Sequence, residues 1–231
     1  MSDQVNSSAK AGEPGEKAPD PGVQRILTPL YYSARFLFWV FYKLYNRLSV
    51  HGHKNVPASG PMIVVSNHAS NLDPPLVGVA LPRKLYYLAK VELFHHPHFA
   101  RMLRRVGSIP ISRGQGDRSA IRKCLEVLDM GEPLLIFPEG TRSRTGQLKE
   151  PQTGAAMIIA QRPDTPILPM RIDGSFQALG GSMKFPRPAK IRVVIGKPFT
   201  VSEMKNLPPV KKQLYREVGI EIMKRIAAAR P

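Results

Sequence analysis

The sequence predicts a single α/β domain with a largely parallel central sheet flanked by helices, preceded by an amphipathic amino-terminal helical segment. From residue 50 onward, short and continuous apolar runs recur, as expected for strands that are buried on both faces. Helical stretches separate several of these runs, and this alternation is typical of a parallel sheet. The 231 residues are enough for one such domain with a full hydrophobic core.

Six segments have the composition of buried strands. They cover residues 62–65, 85–88, 108–111, 134–137, 167–170 and 191–195. The clearest helix is predicted from about Arg118 to Met130, with Asp117 as its N-cap and Gly131 just after its end. Weaker helical patterns cover residues 74–81, 96–106, 152–162 and 210–229.

The amino-terminal region divides into two parts. Residues 1–22 are polar and rich in Gly, Pro, Ser and Glu, without an apolar leader, and they predict a disordered tail. Residues 23–49 are dense in apolar and aromatic side chains. Their basic residues are Arg25, Arg35, Lys43 and Arg47, and they contain no acidic residue. This composition favours a helical segment at a membrane interface, although a helix covering one face of the core is the alternative. Residues 50–231 then form the globular domain.

The charge balance predicts an anionic partner. Lys and Arg total 34 against 17 Asp and Glu, for a net charge of +17. Nucleic acid, an acidic membrane, an acidic carrier protein or a phosphorylated ligand would each fit this charge. Nucleic-acid binding predicts aromatic side chains interleaved with the basic ones. Here the densest aromatic region, residues 31–45, is separate from the arginine-containing loops, so we do not expect nucleic acid as the partner.

The single cysteine and the hydropathy pattern limit the remaining classes. Cys124 excludes an intramolecular disulfide, so the fold needs no oxidising compartment. The sequence shows no Cys/His spacing typical of zinc, and we expect no bound metal. No apolar run approaches the roughly 20 residues that span a bilayer.

The segment that follows the first predicted buried strand carries a histidine and an aspartate. The strand ends near Ser66, and Asp73 followed by two prolines resembles an N-cap. His68 therefore lies in a strand-to-helix loop, where α/β proteins place reactive groups. A loop can fold His68 and Asp73 together, so that the carboxylate fixes the imidazole tautomer. Taken alone, the segment fits equally well a plain loop histidine beside a helix cap.

Two further loops contain arginine after an apolar strand. Residues 137–144 combine a carboxylate, a glycine, hydroxyl groups and two arginines, whose planar guanidinium groups suit phosphate oxygens. A basic surface loop is the alternative interpretation. Residues 107–113 run from a glycine through apolar residues to Arg113. By itself this pattern is weak evidence for a binding site, since any strand followed by an arginine would match it.

Together these segments resemble the 1-acylglycerol-3-phosphate acyltransferases, within the wider glycerolipid acyltransferases. The family pattern Asn-His, four residues, Asp matches residues 67–73, and Gly-x-Ile-x-x-x-Arg matches residues 107–113. Phe-Pro-Glu-Gly-Thr-Arg-Ser matches residues 137–143 throughout, and a proline-bounded apolar strand matches residues 165–170. Lys90 resembles a recurrent basic position of the family. The resemblance spans about residues 50–200, and four blocks in order make it specific.

The resemblance implies transfer of a fatty acyl group to the sn-2 hydroxyl of 1-acylglycerol-3-phosphate, which gives phosphatidic acid in phospholipid biosynthesis. His68 would act as general base and Asp73 would hold it. The implied substrate-binding residues are Lys90, Arg113, Glu139, Gly140, Thr141 and Arg142. Arg113 and Arg142 would bind the acceptor phosphate, while Glu139 would orient an arginine or a glycerol hydroxyl. No cofactor is implied, because the acyl donor, acyl-CoA or acyl carrier protein, is a substrate.

Other functions remain open at this stage. A related enzyme could acylate another lysophospholipid or a lyso-amino-lipid. A lipid-binding relative without activity would have lost the histidine or the aspartate, and both are present. The expected partners are an acidic membrane surface, a lysophospholipid acceptor and the thioester donor, and the expected location is the cytoplasmic face of a membrane, without a spanning segment.

Overall fold

The computed structural model describes residues 22–111 and 118–230. The predicted tail, except Gly22, lies outside the described residues. So do Arg113, one of the two arginines expected to bind phosphate, and Asp117, the predicted cap of the helix that follows.

The described residues form a seven-stranded sheet in the order β1-β7-β6-β2-β5-β3-β4. The strands are β1 (Ser49–His51), β2 (Met62–Ser66), β3 (Tyr86–Lys90), β4 (Ser108–Ile111), β5 (Pro133–Ile136), β6 (Ile167–Asp173) and β7 (Arg192–Ile195). Strands β2 to β6 are mutually parallel, β7 pairs antiparallel to β6, and β1 pairs parallel to β7. The predicted α/β fold with a largely parallel sheet is confirmed.

Helices cover both faces of this sheet. They are α1 (Thr28–Leu44), α2 (Asp73–Ala80), α3 (Pro97–Arg105), α4 (Arg118–Asp129), α5 (Thr153–Ile159), α6 (Ser175–Leu179) and α7 (Lys211–Ala228), with short 3₁₀ turns at His53–Asn55 and Val91–Phe94. Alternate residues of β2 belong to different cores. Ile63 and Val65 pack with α4, α5 and α7, whereas Met62 and Val64 pack with α2 and the end of α1. Burial on both faces explains why this strand is continuously apolar.

The amino-terminal segment combines a core-facing side and an exposed side. Residues 23–27 are extended, with the Leu27 N–H donating to the Arg105 carbonyl at 2.8 Å, and the helix begins only at Thr28. Tyr42 is fully buried and donates its hydroxyl to the Leu72 carbonyl at 2.9 Å. The exposed apolar side chains of α1 are Tyr32, Phe36, Leu37, Phe38, Trp39 and Leu44. The core-helix interpretation therefore holds for one face, and the membrane interpretation stays a prediction for the other.

Candidate active site

The parallel sheet brings two of the predicted motifs to the same edge. Strands β2 and β5 are neighbours, with Val65 opposite Ile136. Because both strands run in the same direction, the loops that follow them leave the sheet side by side. His68 comes two residues after β2 and Glu139 three residues after β5, so the register places them next to each other.

His68 and Asp73 form a hydrogen-bonded pair. Nδ1 of His68 lies 2.9 Å from Oδ2 of Asp73, which is fully buried. The same oxygen accepts the backbone N–H groups of Ala69 and Ser70, each at 2.7 Å. Three donors therefore fix the orientation of this carboxylate, and the pairing expected from the loop is present.

The aspartate does not cap its helix in the expected way. Asp73 is the first residue of α2 and Leu72 occupies the cap position, with no side-chain cap bond. Pro74 and Pro75 follow, and proline has no N–H that a cap could accept. The carboxylate turns back to the preceding loop instead, where two N–H groups and the imidazole are available.

The hydrogen bond to Asp73 sets the chemistry of the imidazole. With Nδ1–H donating to the carboxylate, Nε2 carries the free lone pair and is the basic atom. The ring stacks on Phe137, with centroids 4.0 Å apart and planes 16° from parallel. In the described part of the chain, no hydroxyl or thiol is hydrogen-bonded to the ring. The arrangement suits a general base that acts on a bound substrate.

Glu139 positions the backbone of the histidine. Its Oε1 accepts the His68 N–H at 2.8 Å, and its Oε2 accepts the Lys149 N–H at 3.2 Å. Burial raises the pKa of Glu139, while the two N–H donors act in the opposite direction. Glu139 is buried and is not among the residues that line the cleft, and among the described residues no arginine contacts its carboxylate. The expected contact with an arginine is therefore absent, and orientation of a glycerol hydroxyl stays a prediction.

Two more hydrogen-bonded links, one from the backbone and one from a side chain, hold the histidine loop from either side. The Ser143 N–H donates to the His68 carbonyl at 2.7 Å. The Asn67 side chain donates to the Ile172 carbonyl at 2.9 Å and accepts the Ile172 N–H at 2.8 Å. This amide extends the pairing between β2 and β6 by one step beyond Ser66, which fixes the direction in which the loop leaves the sheet.

Gly140 is a turn residue and does not line the cleft. Its φ is +68°, a conformation that favours glycine, and its N–H donates to the Phe137 carbonyl at 3.0 Å. A Cβ at this position would lie 2.8 Å from Cγ of Gln152. The predicted glycine is therefore needed to fold the loop tightly over α5.

His68 lines a cleft of about 1690 Å³, which lies between α1, α2, α3 and the end of β3. Its apolar walls include Leu30, Tyr31, Phe38, Leu88, Leu93, Phe99, Met102, Leu103 and Val106. Its basic side chains are Arg35, Lys90, Arg142, Arg144 and Lys149. Of the predicted site residues, the structure brings His68, Lys90, Thr141 and Arg142 to this cleft.

Sequence reasoning missed two cations of the cleft. Lys149 follows the matched motif by six residues and donates from Nζ to the Thr141 hydroxyl at 2.6 Å. Its position becomes apparent only when the loop folds back. Arg35 belongs to the basic amino-terminal helix, and helical periodicity alone does not reveal that its side chain reaches the cleft. Among residues 22–111 and 118–230, no group of His, Cys, Asp and Glu is arranged to hold a metal ion.

An aspartate-oriented histidine at the strand ends of an α/β sheet, beside a large apolar cleft, is the arrangement expected of an enzyme that acts on an apolar substrate. Residues 47–173, more than half of the chain, match the Acyltransferase family model. The chain belongs to this acyltransferase family, as the sequence motifs predicted, and it is an enzyme.

Individual relatives agree with this assignment. The 1-acyl-sn-glycerol-3-phosphate acyltransferase of Bacillus subtilis is 27% identical over 170 residues, which cover 73% of this chain and 82% of that protein. The lyso-ornithine lipid O-acyltransferase of Pseudomonas aeruginosa is 40% identical over 90 residues, covering 38% of this chain and 34% of that protein. The crystal structure of the 1-acyl-sn-glycerophosphate acyltransferase of Thermotoga maritima has a TM-score of 0.68 at 24% identity, covers 89% of this chain and 81% of that one, and shows the same fold.

Proposed function

We propose that the protein transfers a fatty acyl group from acyl-CoA or acyl carrier protein to the sn-2 hydroxyl of 1-acylglycerol-3-phosphate. The product is phosphatidic acid, an intermediate of phospholipid biosynthesis. The observation that carries the proposal is the His68–Asp73 pair at the wall of a cleft that has both apolar walls and basic side chains. The apolar walls suit acyl chains, and the basic side chains suit a phosphate monoester.

His68 acts as the general base. Its Nε2 takes the proton of the acceptor hydroxyl while that oxygen attacks the thioester carbonyl, and Asp73 stabilises the imidazolium that forms. The tetrahedral intermediate collapses by breaking the C–S bond, and the proton passes from His68 to the leaving thiolate. The thioester is already activated, so the reaction needs no covalent acyl-enzyme.

Basic side chains of the cleft hold the acceptor phosphate. Arg142 is exposed at the cleft and no carboxylate is paired with it in the described residues, so its guanidinium is available to phosphate oxygens. Lys90, at the end of β3, and Lys149 add further positive charge to the same cleft. Arg113 belongs to this set on the sequence motif. These groups position the acceptor hydroxyl at Nε2 of His68, which is the source of a proximity effect.

The lipid acceptor requires contact with a membrane, and we propose that α1 provides it. Along the described residues, no helix is both long and apolar enough to cross a bilayer. The exposed face of α1 carries Phe36 and Trp39, stacked with centroids 6.1 Å apart. Aromatic rings with neighbouring arginine and lysine suit the interface of an acidic membrane. The proposed location is the cytoplasmic face of a membrane, where acyl-CoA and acyl carrier protein would both have access to the enzyme.

A second candidate acceptor is a lyso-amino-lipid. The 40% identity with the Pseudomonas lyso-ornithine lipid enzyme over 90 residues favours it. Such an acceptor offers a hydroxyl to the same His68 but no phosphate monoester to Arg142. The two candidates therefore differ in what the basic side chains of the cleft would bind.

An acyl-transfer assay of the purified protein separates these candidates. The acceptors are 1-acylglycerol-3-phosphate, other lysophospholipids and a lyso-amino-lipid, each tested with acyl-CoA and with acyl carrier protein. We expect the highest kcat/KM for 1-acylglycerol-3-phosphate. The His68→Ala variant should show no acyl transfer above background with any acceptor. A higher kcat/KM for the lyso-amino-lipid would support the second candidate, and no transfer to any acceptor would refute both.

A further inference from the structure

The loop that follows α6 exposes a large aromatic side chain. Phe185 lies between Lys184 and Pro186 and is 79% exposed, the same fraction as Leu44 at the end of α1. None of the other exposed large hydrophobic side chains in the described residues exceeds these two. The 182–190 loop, comprising residues 182–190, has no part in the catalytic pair or the substrate contacts described above.

Hydrogen bonds fix this loop against the carboxyl-terminal end of α1. The Tyr45 hydroxyl donates to the Pro186 carbonyl at 3.0 Å. The Asn46 side-chain amide donates to the carbonyls of Arg187 and Ala189, each at 3.3 Å. The Arg187 N–H donates to the Ala178 carbonyl at 2.7 Å. Phe185 is therefore presented by a backbone that is already ordered, so docking requires little further loss of conformational entropy.

The charge around Phe185 has one sign. Lys184, Arg187 and Lys190 are exposed, and in the described residues none of them pairs with a carboxylate. The sequence contains no Asp or Glu between Asp173 and Glu203. Residues 23–49, which the loop contacts, also lack acidic residues. An anionic surface is the complement of such a patch.

The loop also begins at the catalytic cleft. Gly181 and Ser182 line the cleft beside His68 and Arg142. A surface that held Phe185 would thus lie close to the mouth through which a lipid must enter.

We propose that the 182–190 loop is a second membrane-docking element, which inserts Phe185 into the interface of an anionic bilayer while Lys184, Arg187 and Lys190 contact lipid headgroups. The inference rests on the proposed function, because a lipid acceptor is what makes this docking useful. A bilayer fits better than an acidic carrier protein, since a single protruding aromatic ring with basic neighbours matches a headgroup layer over hydrocarbon.

Vesicle binding of the full chain tests the proposal. The probes are vesicles of equal phosphatidylglycerol and phosphatidylcholine, and vesicles of phosphatidylcholine alone. Phe185→Ser should weaken binding to the anionic vesicles about tenfold, as expected for removing one inserted aromatic ring. The matched control is Val210→Ser, because Val210 is 54% exposed at the start of α7, whose core contacts lie on the other face of the sheet. This control should bind as the unsubstituted protein does.

A second readout reports insertion directly. Cys124 is buried, so a polarity-sensitive dye can be attached selectively to Phe185→Cys or to Val210→Cys. The dye at position 185 should shift its emission to the blue with anionic vesicles, and the dye at position 210 should not. Acyl transfer to a water-soluble, short-chain acceptor is measured in parallel, and Phe185→Ser should leave it unchanged.

The outcomes separate the docking element from the proposed function. Unchanged vesicle binding by Phe185→Ser, or no emission shift at position 185, would overturn the docking element even if acyl transfer occurs. Loss of transfer from acyl carrier protein to the water-soluble acceptor in Phe185→Ser, with vesicle binding intact, would assign the loop to the carrier protein and overturn the proposal. If no acceptor is acylated at all, the proposed function fails, and vesicle binding still decides the role of the loop.

Discussion

The imidazole of His68 and the carboxylate of Asp73 meet at 2.9 Å although five positions separate them in the sequence. On a continuous helix such residues would point about 140° apart, given about 3.6 residues per turn. The loop between β2 and α2 removes this restriction. The backbone N–H groups of Ala69 and Ser70 donate to the same carboxylate oxygen, so the loop that allows the contact also fixes it.

The first prediction concerns this pair. His68→Ala should lower kcat by at least about 10²-fold, because the acceptor hydroxyl loses its base. Asp73→Asn should also lower kcat severely, because an amide at this position no longer fixes the tautomer. The matched control is His98→Ala, an exposed histidine in α3, which should retain activity. Steady-state acyl transfer measures the effect and circular dichroism checks the fold. Near-normal turnover by folded His68→Ala would disprove the mechanism.

The second prediction concerns Glu139, whose pKa is raised by burial. When the pKa of a carboxyl is higher in the folded state than in the unfolded state, the folded state binds the proton more tightly. The resulting stabilisation is fully present at pH values below the unfolded-state pKa, and it is lost as the pH rises through the folded-state pKa. Glu139→Gln removes that titration, and it also places a donor against a backbone N–H. The unsubstituted protein should therefore exceed the variant in stability by more at pH 4 than at pH 7.

Urea unfolding at the two pH values measures this difference, and groups common to both proteins cancel. Glu150→Gln is the matched control, since Glu150 is exposed and its substitution should change the free energy of unfolding little. A stability difference for Glu139→Gln that is larger at pH 7 would contradict the direction of the pKa shift.

The sheet and the contact between His68 and Asp73 were predictable because their signals are local. Burial on both faces made β2 and β5 continuously apolar, and the spacing of His68 and Asp73 was read directly from the chain. The hydrogen bonds of Glu139 were not predictable, since both of its partners are backbone N–H groups. One of these belongs to His68, in the loop that follows β2. Strand β1 was missed because three residues, of which one is an exposed histidine, form no apolar run.

The third prediction concerns phosphate recognition. Arg142→Ala should raise KM for 1-acylglycerol-3-phosphate at least about tenfold and change KM for the acyl donor little, because a charge-assisted hydrogen bond contributes roughly 1.5–3 kcal/mol. The matched control is Arg162→Ala, a half-buried arginine outside the cleft that pairs with Asp129 at 2.9 Å. Initial rates with each substrate varied in turn give both KM values. Equal effects on donor and acceptor would argue against phosphate binding by Arg142.

The fourth prediction concerns membrane attachment by α1. Deleting residues 1–49 would remove the buried Tyr42 and Leu48, so loss of binding by such a variant would be confounded with loss of folding. Replacing both Phe36 and Trp39 with Ser spares that core. This double variant should lose most of its binding to anionic vesicles in sedimentation, and high salt should release what remains, because only the electrostatic attraction is left. Salt-resistant binding equal to that of the unsubstituted protein would place the anchor elsewhere.

The last prediction concerns the close approach of α2 to β3. A Cβ on Gly78 would overlap the Tyr87 hydroxyl oxygen, which is itself 3.2 Å from the Tyr31 hydroxyl. Alanine normally stabilises a helix interior by about 1 kcal/mol relative to glycine. Here the overlap should outweigh this gain, and Gly78→Ala should destabilise the protein by about 1–3 kcal/mol.

Removing the obstructing hydroxyl should reverse the sign of that substitution. In a Tyr87→Phe background the nearest atoms to the new Cβ are the Tyr31 hydroxyl at 3.4 Å and the ring carbon of residue 87 at 3.5 Å, which are ordinary contacts. There Gly78→Ala should be neutral or stabilising. Gly154→Ala in α5 is the matched control, since a Cβ meets nothing within 4 Å, and it should be neutral or stabilising in either background. Urea unfolding of the four proteins of this cycle gives the coupling free energy. If Gly78→Ala proves no less stable than the unsubstituted protein, the close packing of Tyr87 on α2 does not hold.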